Sequence, residues 1–144
     1  MQPAIKDGER ILVNRLAYGI AAPFGEKLIF QWATPKKGDV VIYLWNDKIV
    51  VKRCVAIGGD KIEILRLDDM ESSSMEISAD SLYTLRAGSS LVPLSEPQYL
   101  SLRGVRAVPD GYILAIGDNF AESVDSRTYG FVANRNVIGR VIGK

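Results

Sequence analysis

Short β-branched and aromatic runs, broken every few positions by Gly, Asp, Asn or Pro, set the pattern of this chain. "RILVNRLAYG" (10–19), "GDVVIYLW" (38–45), "DKIVVKRCVAIGG" (47–59), "DKIEILRL" (60–67), "DGYILAIGD" (110–118) and "VIGRVIG" (137–143) each read as strand. No segment holds a helical 3.6-residue period over a dozen positions, so the pattern predicts a mainly β fold. Asn46–Lys48 and Gly58–Lys61 read as tight hairpin connections, because Asn, Asp and Gly tolerate the turn backbone. The stretch from Arg66 to Arg103 differs. It is rich in serine, carries "DDMESSSME" and "VPLSEPQ", and reads as an inserted, variable subdomain (66–103) between two parts of one β core, 1–65 and 104–144. It holds no chemical constellation and is expected to be structural decoration.

Composition removes several functions. At 144 residues the chain can bury one sizeable core. With 18 basic against 17 acidic residues it lacks the basic excess of a nucleic-acid binder. One cysteine and no histidine exclude a disulfide framework, a Cys/His metal cluster and a histidine-based triad. Neither a metal nor another cofactor is expected. No apolar run approaches the ~20 residues that span a bilayer, and no signal-peptide pattern opens the sequence.

Two segments carry candidate chemistry. In "VVKRCVAIGGD", strand alternation puts Val50, Lys52, Cys54 and Ala56 on one face and Val51, Arg53 and Val55 on the other. Lys52 is then either an outward charge on an edge strand or a desolvated amine able to accept a proton. In "IGDNFAESVDSRTYGFV", Gly117-Asp118-Asn119 makes a turn, Ser123 follows six residues after Gly117, and Asp125-Ser126-Arg127 comes next. Asp125 and Arg127 read either as a local salt bridge or as a staple that presents Ser123 to a neighbour.

These segments, together with "MQPAIKDGERILVN", "AYGI" (17–20), "PKKGDVVIY" (35–43) and the closing "VIGRV", resemble in order the blocks of the type I signal peptidases, which are Ser/Lys proteases. The resemblance covers about 100 of the 144 residues and omits the 66–103 region. Two departures stand out: Glu9 replaces the family's usual Asp, and Gly58 stands where many members have Pro.

The resemblance implies a coiled antiparallel β-sheet catalytic core and a serine endopeptidase that removes signal peptides from secreted preproteins. It makes Lys52 the general base, Ser123 the hydroxyl that orients it, and Asp125–Arg127 the staple of the loop. The nucleophilic serine is expected immediately before Met1, so the chain as it stands is expected to be truncated and inactive. Half-deprotonation of Lys52 near pH 8 needs a bias of about 3.3 kcal/mol against the ammonium, which burial can supply. A serine orients the amine without adding a charge that would favour the ammonium.

Met1, Ile5, Ile11, Val50 and Val51 are the implied lining of shallow apolar pockets for an extended signal peptide with small side chains before the cut. Phe24, Phe30 and Trp32 in "FGEKLIFQW" are either core or an apolar surface resting in the lipid interface. The implied location is the outer face of the bacterial cytoplasmic membrane, with the anchor outside the sequence. Two alternatives remain: a non-catalytic signal-peptidase-like assembly factor, and another Ser/Lys self-cleaving protease domain. The Asp-Ser-Arg loop counts against the second, and the retained Lys52, Ser123, Asp125 and Arg127 against the first.

Overall fold

The structure, a computed structural model, describes residues 9–21, 27–66 and 82–143. The elements run β1 (Leu12–Asn14), β2 (Gly19–Ala21), β3 (Leu28–Gln31), β4 (Val40–Trp45), β5 (Lys48–Ile57), β6 (Glu63–Arg66), β7 (Tyr83–Ala87), β8 (Ser90–Leu94), α1 (Glu96–Leu102), β9 (Tyr112–Ile116), α2 (Ser126–Tyr129), β10 (Val132–Ala133) and β11 (Val137–Gly143). Strand dominates and every ladder is antiparallel, so the fold is mainly β. Six strands form the main sheet in the order β1-β11-β4-β5-β9-β10; β2-β3 and β6-β7-β8 form two smaller sheets.

The β4–β5 hairpin is the spine of the main sheet. Trp45 pairs with Lys48, leaving Asn46 (φ 48°) and Asp47 (φ 60°) as a two-residue turn with both backbones left-handed. Asn and Asp accept that conformation at low cost, and its twist matches the flanking strands.

The second expected hairpin, at Gly58–Lys61, does not form: β6 pairs with β7, whereas β5 pairs with β9. Gly59, at φ 87°, and Asp60, whose carboxylate accepts from the Ile57 amide at 2.8 Å, instead turn the chain out of the main sheet. "RILVNRLAYG" likewise splits. Residues 12–14 join β11 and residues 19–21 join β3, with Leu16 N–H donating to the Asn14 side chain between them.

Within the middle stretch, β7 and β8 make a hairpin around Gly88-Ser89, and α1 follows. Gln98 Oε1 accepts from the Ser95 amide at 3.0 Å, which caps the start of α1. Residues 67–81 lie outside the described ones.

Two apolar clusters sit on opposite faces of the main sheet. Ile113 and Ala115 join Tyr18, Leu28, Val41, Tyr43, Cys54, Val132 and Val137 on one side. Leu114 and Ile116 join Ala56, Ile62, Leu85, Val92, Leu94, Leu102 and Val108 on the other. β9 is thus buried on both faces, which explains its unbroken "YILAI". A register irregularity between Cys54 and Ala56 sends those two side chains to different clusters. The expected single face of Val50, Lys52, Cys54 and Ala56 therefore ends at Cys54.

Candidate functional site

Lys52 stands opposite Val41 in the β4–β5 ladder, on the face that carries Val41, Tyr43 and Cys54. It is half-buried, and its Nζ donates to Ser123 Oγ at 2.7 Å. Burial lowers its pKa below the ordinary lysine value; the Asp125 charge opposes the shift and the Arg127 charge adds to it. Ser123 comes from the loop between β9 and α2, where its own N–H donates to the Asn119 carbonyl at 3.0 Å.

A buried ion pair holds that loop. Asp125 and Arg127 are fully buried, with Arg127 Nε donating to Oδ1 and Nη2 to Oδ2, both at 2.9 Å. Asp125 also caps α2 by accepting from the Arg127 amide at 3.1 Å, and accepts from the Gly117 amide at 3.0 Å. Burial alone would raise the Asp125 pKa. The Arg127 hydrogen bonds, the Gly117 amide, the Arg127 charge and the Ser123 hydroxyl outweigh it and hold the carboxyl below its usual range.

The rest of the guanidinium is spent on carbonyls. Nη1 donates to Pro93 of β8 at 3.1 Å, and Nη2 to Phe120 at 3.1 Å and Ser123 at 3.3 Å, with the Phe120 ring 5.6 Å from the guanidinium carbon. A buried pair left with open donors would be costly; this one has partners on every side.

Several further residues, not singled out for these contacts from sequence, complete the site. Arg53 grips Asp118 through Nε (2.9 Å) and Nη2 (2.8 Å), fixing the start of the loop to the strand that carries Lys52. Buried Ser126 accepts from the Ala115 amide at 3.0 Å. Tyr43 and Tyr129 meet hydroxyl to hydroxyl. Arg53 and Ser126 adjoin Lys52 and Asp125 in sequence, a signal that could have raised them; the tyrosine pair has no such signal.

Of the expected pocket residues, Met1 and Ile5 lie outside the described residues, as does Phe24. Ile11 is half-buried just before β1. Val50 packs against the cluster of Tyr43 and Cys54, whereas Val51, opposite Ile42, projects from the other face with Arg53. β9 pairs with β5 only from Arg53 to Ile57. Among the described residues, nothing pairs with that edge of β5 over Lys48–Lys52. Phe30 (64 % exposed) and Trp32 (51 %) lie on the β2–β3 layer and are not core.

A family model described as signal peptidase, peptidase S26, matches residues 1–143. The chain is 25 % identical to signal peptidase I of Buchnera aphidicola subsp. Baizongia pistaciae, over 99 % of this chain and 65 % of that protein. It is 29 % identical to a probable signal peptidase I-1 of Synechocystis sp., over 99 % of this chain and 64 % of that protein. It thus spans a little under two thirds of the length of these relatives. A crystal structure of a signal peptidase I from Enterococcus faecalis aligns with a TM-score of 0.48 at 21 % identity, covering 76 % of this chain and 98 % of that one.

Proposed function

The chain belongs to the signal peptidase family, peptidase S26, and on that premise we propose that it is the catalytic part of a membrane-associated serine endopeptidase that removes signal peptides from exported preproteins. The observation that carries the reading is the half-buried Lys52 amine, bonded at 2.7 Å to Ser123 and depressed in pKa by burial. Neutral Lys52 takes the proton of a serine hydroxyl located immediately before Met1. The serine oxygen attacks the scissile carbonyl, and the Lys52 ammonium returns the proton to the leaving amine. Water, deprotonated by the same amine, then releases the acyl group. Ser123 orients Lys52, and Asp125–Arg127 holds Ser123.

The substrate binds extended along the open edge of β5 beside Lys52, with small side chains entering pockets lined by Met1, Ile5, Ile11, Val50 and Val51. Residues 1–65 and 104–144 form the catalytic core and 66–103 an inserted unit that braces the loop through Pro93.

The test uses a chain extended upstream with its native residues and a peptide with Ala at the first and third positions before the cut. Cleavage is expected, rising with pH along a limb below the free-lysine value, and Lys52→Met should lower kcat by at least ~100-fold. Retained turnover in that variant removes Lys52 as the base. The 2.7 Å bond also favours a second reading in which Ser123 is itself the nucleophile. Trapping the acyl-enzyme and locating the modified serine by mass spectrometry decides between them. No cleavage by the extended chain favours a non-catalytic assembly factor.

We also propose that Phe30 and Trp32 seat the protein in the lipid interface, with Phe24 as a third anchor. The β2–β3 layer covers the face that carries Lys52, which supports this placement. Vesicle flotation should show binding that weakens in Phe30→Ser/Trp32→Ser. Equal binding by the double variant discards the interfacial role.

A further inference from the structure

α2 is a single helical turn, too short to hold its place by its own hydrogen bonds. Its N-terminal end is fixed by the Asp125 cap and the Arg127 pair. Its C-terminal end is held elsewhere. Tyr129, the last helical residue, donates its N–H to the Asp125 carbonyl at 3.1 Å and sets its hydroxyl against that of Tyr43 on β4. Trp45, two residues on from Tyr43, stacks on the Tyr129 ring at 4.0 Å and 23°. Tyr43 is fully buried and stands opposite Val50 in the ladder, two pairs along from Val41 and Lys52 and so on the same face.

We propose that Tyr43 and Tyr129 are positioning residues for Lys52. Their hydroxyl pair clasps the C-terminal end of α2 to the hairpin that carries Lys52, so that Asp125 and Ser123 keep a fixed place against the amine. The contact joins α2 to that hairpin beside the Trp45 stack, while the loop ahead of α2 meets the hairpin through the Arg53–Asp118 pair and the Lys52–Ser123 bond; the last of these must rearrange as the amine gains and loses its proton.

The clasp itself does not titrate in the same range. Burial pushes Tyr129 up to about 12, with Tyr43 opposing and the Asp125 charge adding to the rise. Burial, Tyr129 and the Asp125 charge push Tyr43 up as well. Both hydroxyls stay neutral while Lys52 titrates. The charges acting on Lys52 are those of Asp125 and Arg127, both fixed by the segment that the clasp holds.

The consequence for cleavage rests on the proposed Lys52 chemistry, so the test has one readout that needs no turnover. Tyr43→Phe, Tyr129→Phe and the double variant keep the rings and the Trp45 stack and remove only hydroxyls. Lys52 is titrated by NMR in protein labelled at lysine Cε, its signal assigned by Lys52→Met. In parallel, kcat and KM are measured against pH on the upstream-extended chain.

Each single variant should raise the Lys52 proton affinity about threefold to tenfold, as loosening of α2 lets water reach the amine. It should lower kcat by the same factor on the rising limb and leave KM unchanged. The double variant should do no more than either single, because one bond is lost in all three. Variants that lose thermal stability while the Lys52 midpoint stays put overturn the proposal, as does an additive double variant. If one single variant fails to fold, the other reads the same bond. A moved midpoint in a protein that never cleaves supports the clasp and sinks the protease reading. Cleavage with an unmoved midpoint sinks the clasp alone.

Discussion

Gly117 is where a single missing side chain matters most. A Cβ built there would lie 2.1 Å from Ser123 Oγ, 2.7 Å from Ser123 Cβ and 3.2 Å from Lys52 Nζ. The glycine therefore supplies a seat, and the space it leaves empty is where the Lys52–Ser123 bond sits. Its place in a Gly-Asp-Asn triplet suggests a turn-former, yet it is absent from the left-handed glycines, which include Gly59 and Gly130. Gly117→Ala should displace Ser123, costing about 1–3 kcal/mol of stability and at least ~10-fold in kcat. Adding Ser123→Gly should relieve the overlap, so that the melting temperature recovers while activity does not. A Gly117→Ala protein as active as the parent would mean that the Ser123 contact with Lys52 is unimportant.

At the scale of elements, the sequence was legible where local chemistry and pairing coincide. Asn46-Asp47 made a turn of the expected type because those two residues accept the left-handed backbone it requires. β9 was readable because burial on both faces leaves it unbroken by polar residues. Gly58–Lys61 misled because a tight turn does not reveal whether the next strand folds back on the last one or leaves for another sheet.

The β7–β8 hairpin is hard to read from sequence although Leu85/Ala87 and Val92/Leu94 alternate, since the surrounding serines lower the apparent strand signal. The "SEPQ" start of α1 was a readable helix cap. The site divides the same way. Asp125 and Arg127 are two positions apart and could be read as a pair from sequence. Lys52 and Ser123 are 71 positions apart, and only the family resemblance linked them. Tyr43 with Tyr129 (86 apart) and Arg127 with Pro93 (34 apart) had neither aid, because each depends on which faces the sheets present to the loop. The 66–103 region, read as decoration, supplies the Pro93 carbonyl that anchors the buried guanidinium.

At the scale of the whole molecule, folding places Lys52 on an apolar face, and overall stability must register the move. Its pKa in the fold is lowered from the free-lysine value, with burial the leading cause. Between that lowered value and about 10.4 the unfolded chain binds more protons than the native one, so stability rises with pH across the window. Below the window the ammonium is carried into the fold at a cost; above it the cost is gone.

The tyrosines shifted by partial or full burial act in the opposite sense. Tyr18 and Tyr129 are raised, so their contribution is fully present below about pH 10 and lost above it. Asp125 is lowered, so its contribution holds above about pH 3.9 and is lost as pH falls through its folded value. Neither change overlaps the range from neutrality to about pH 9.5, and both are shared by a Lys52→Met protein. The difference between the two proteins therefore isolates the lysine. Urea unfolding at successive pH values should find Lys52→Met more stable than the parent near pH 7, with the gap closing toward pH 9.5. Whatever part of the Ser123 bond depends on the protonation of the amine is already contained in the lowered folded-state pKa, so its loss otherwise adds only a constant offset. Parallel stability profiles would mean that Lys52 keeps its water on folding, and the amine would then lack the bias toward neutrality that a general base requires.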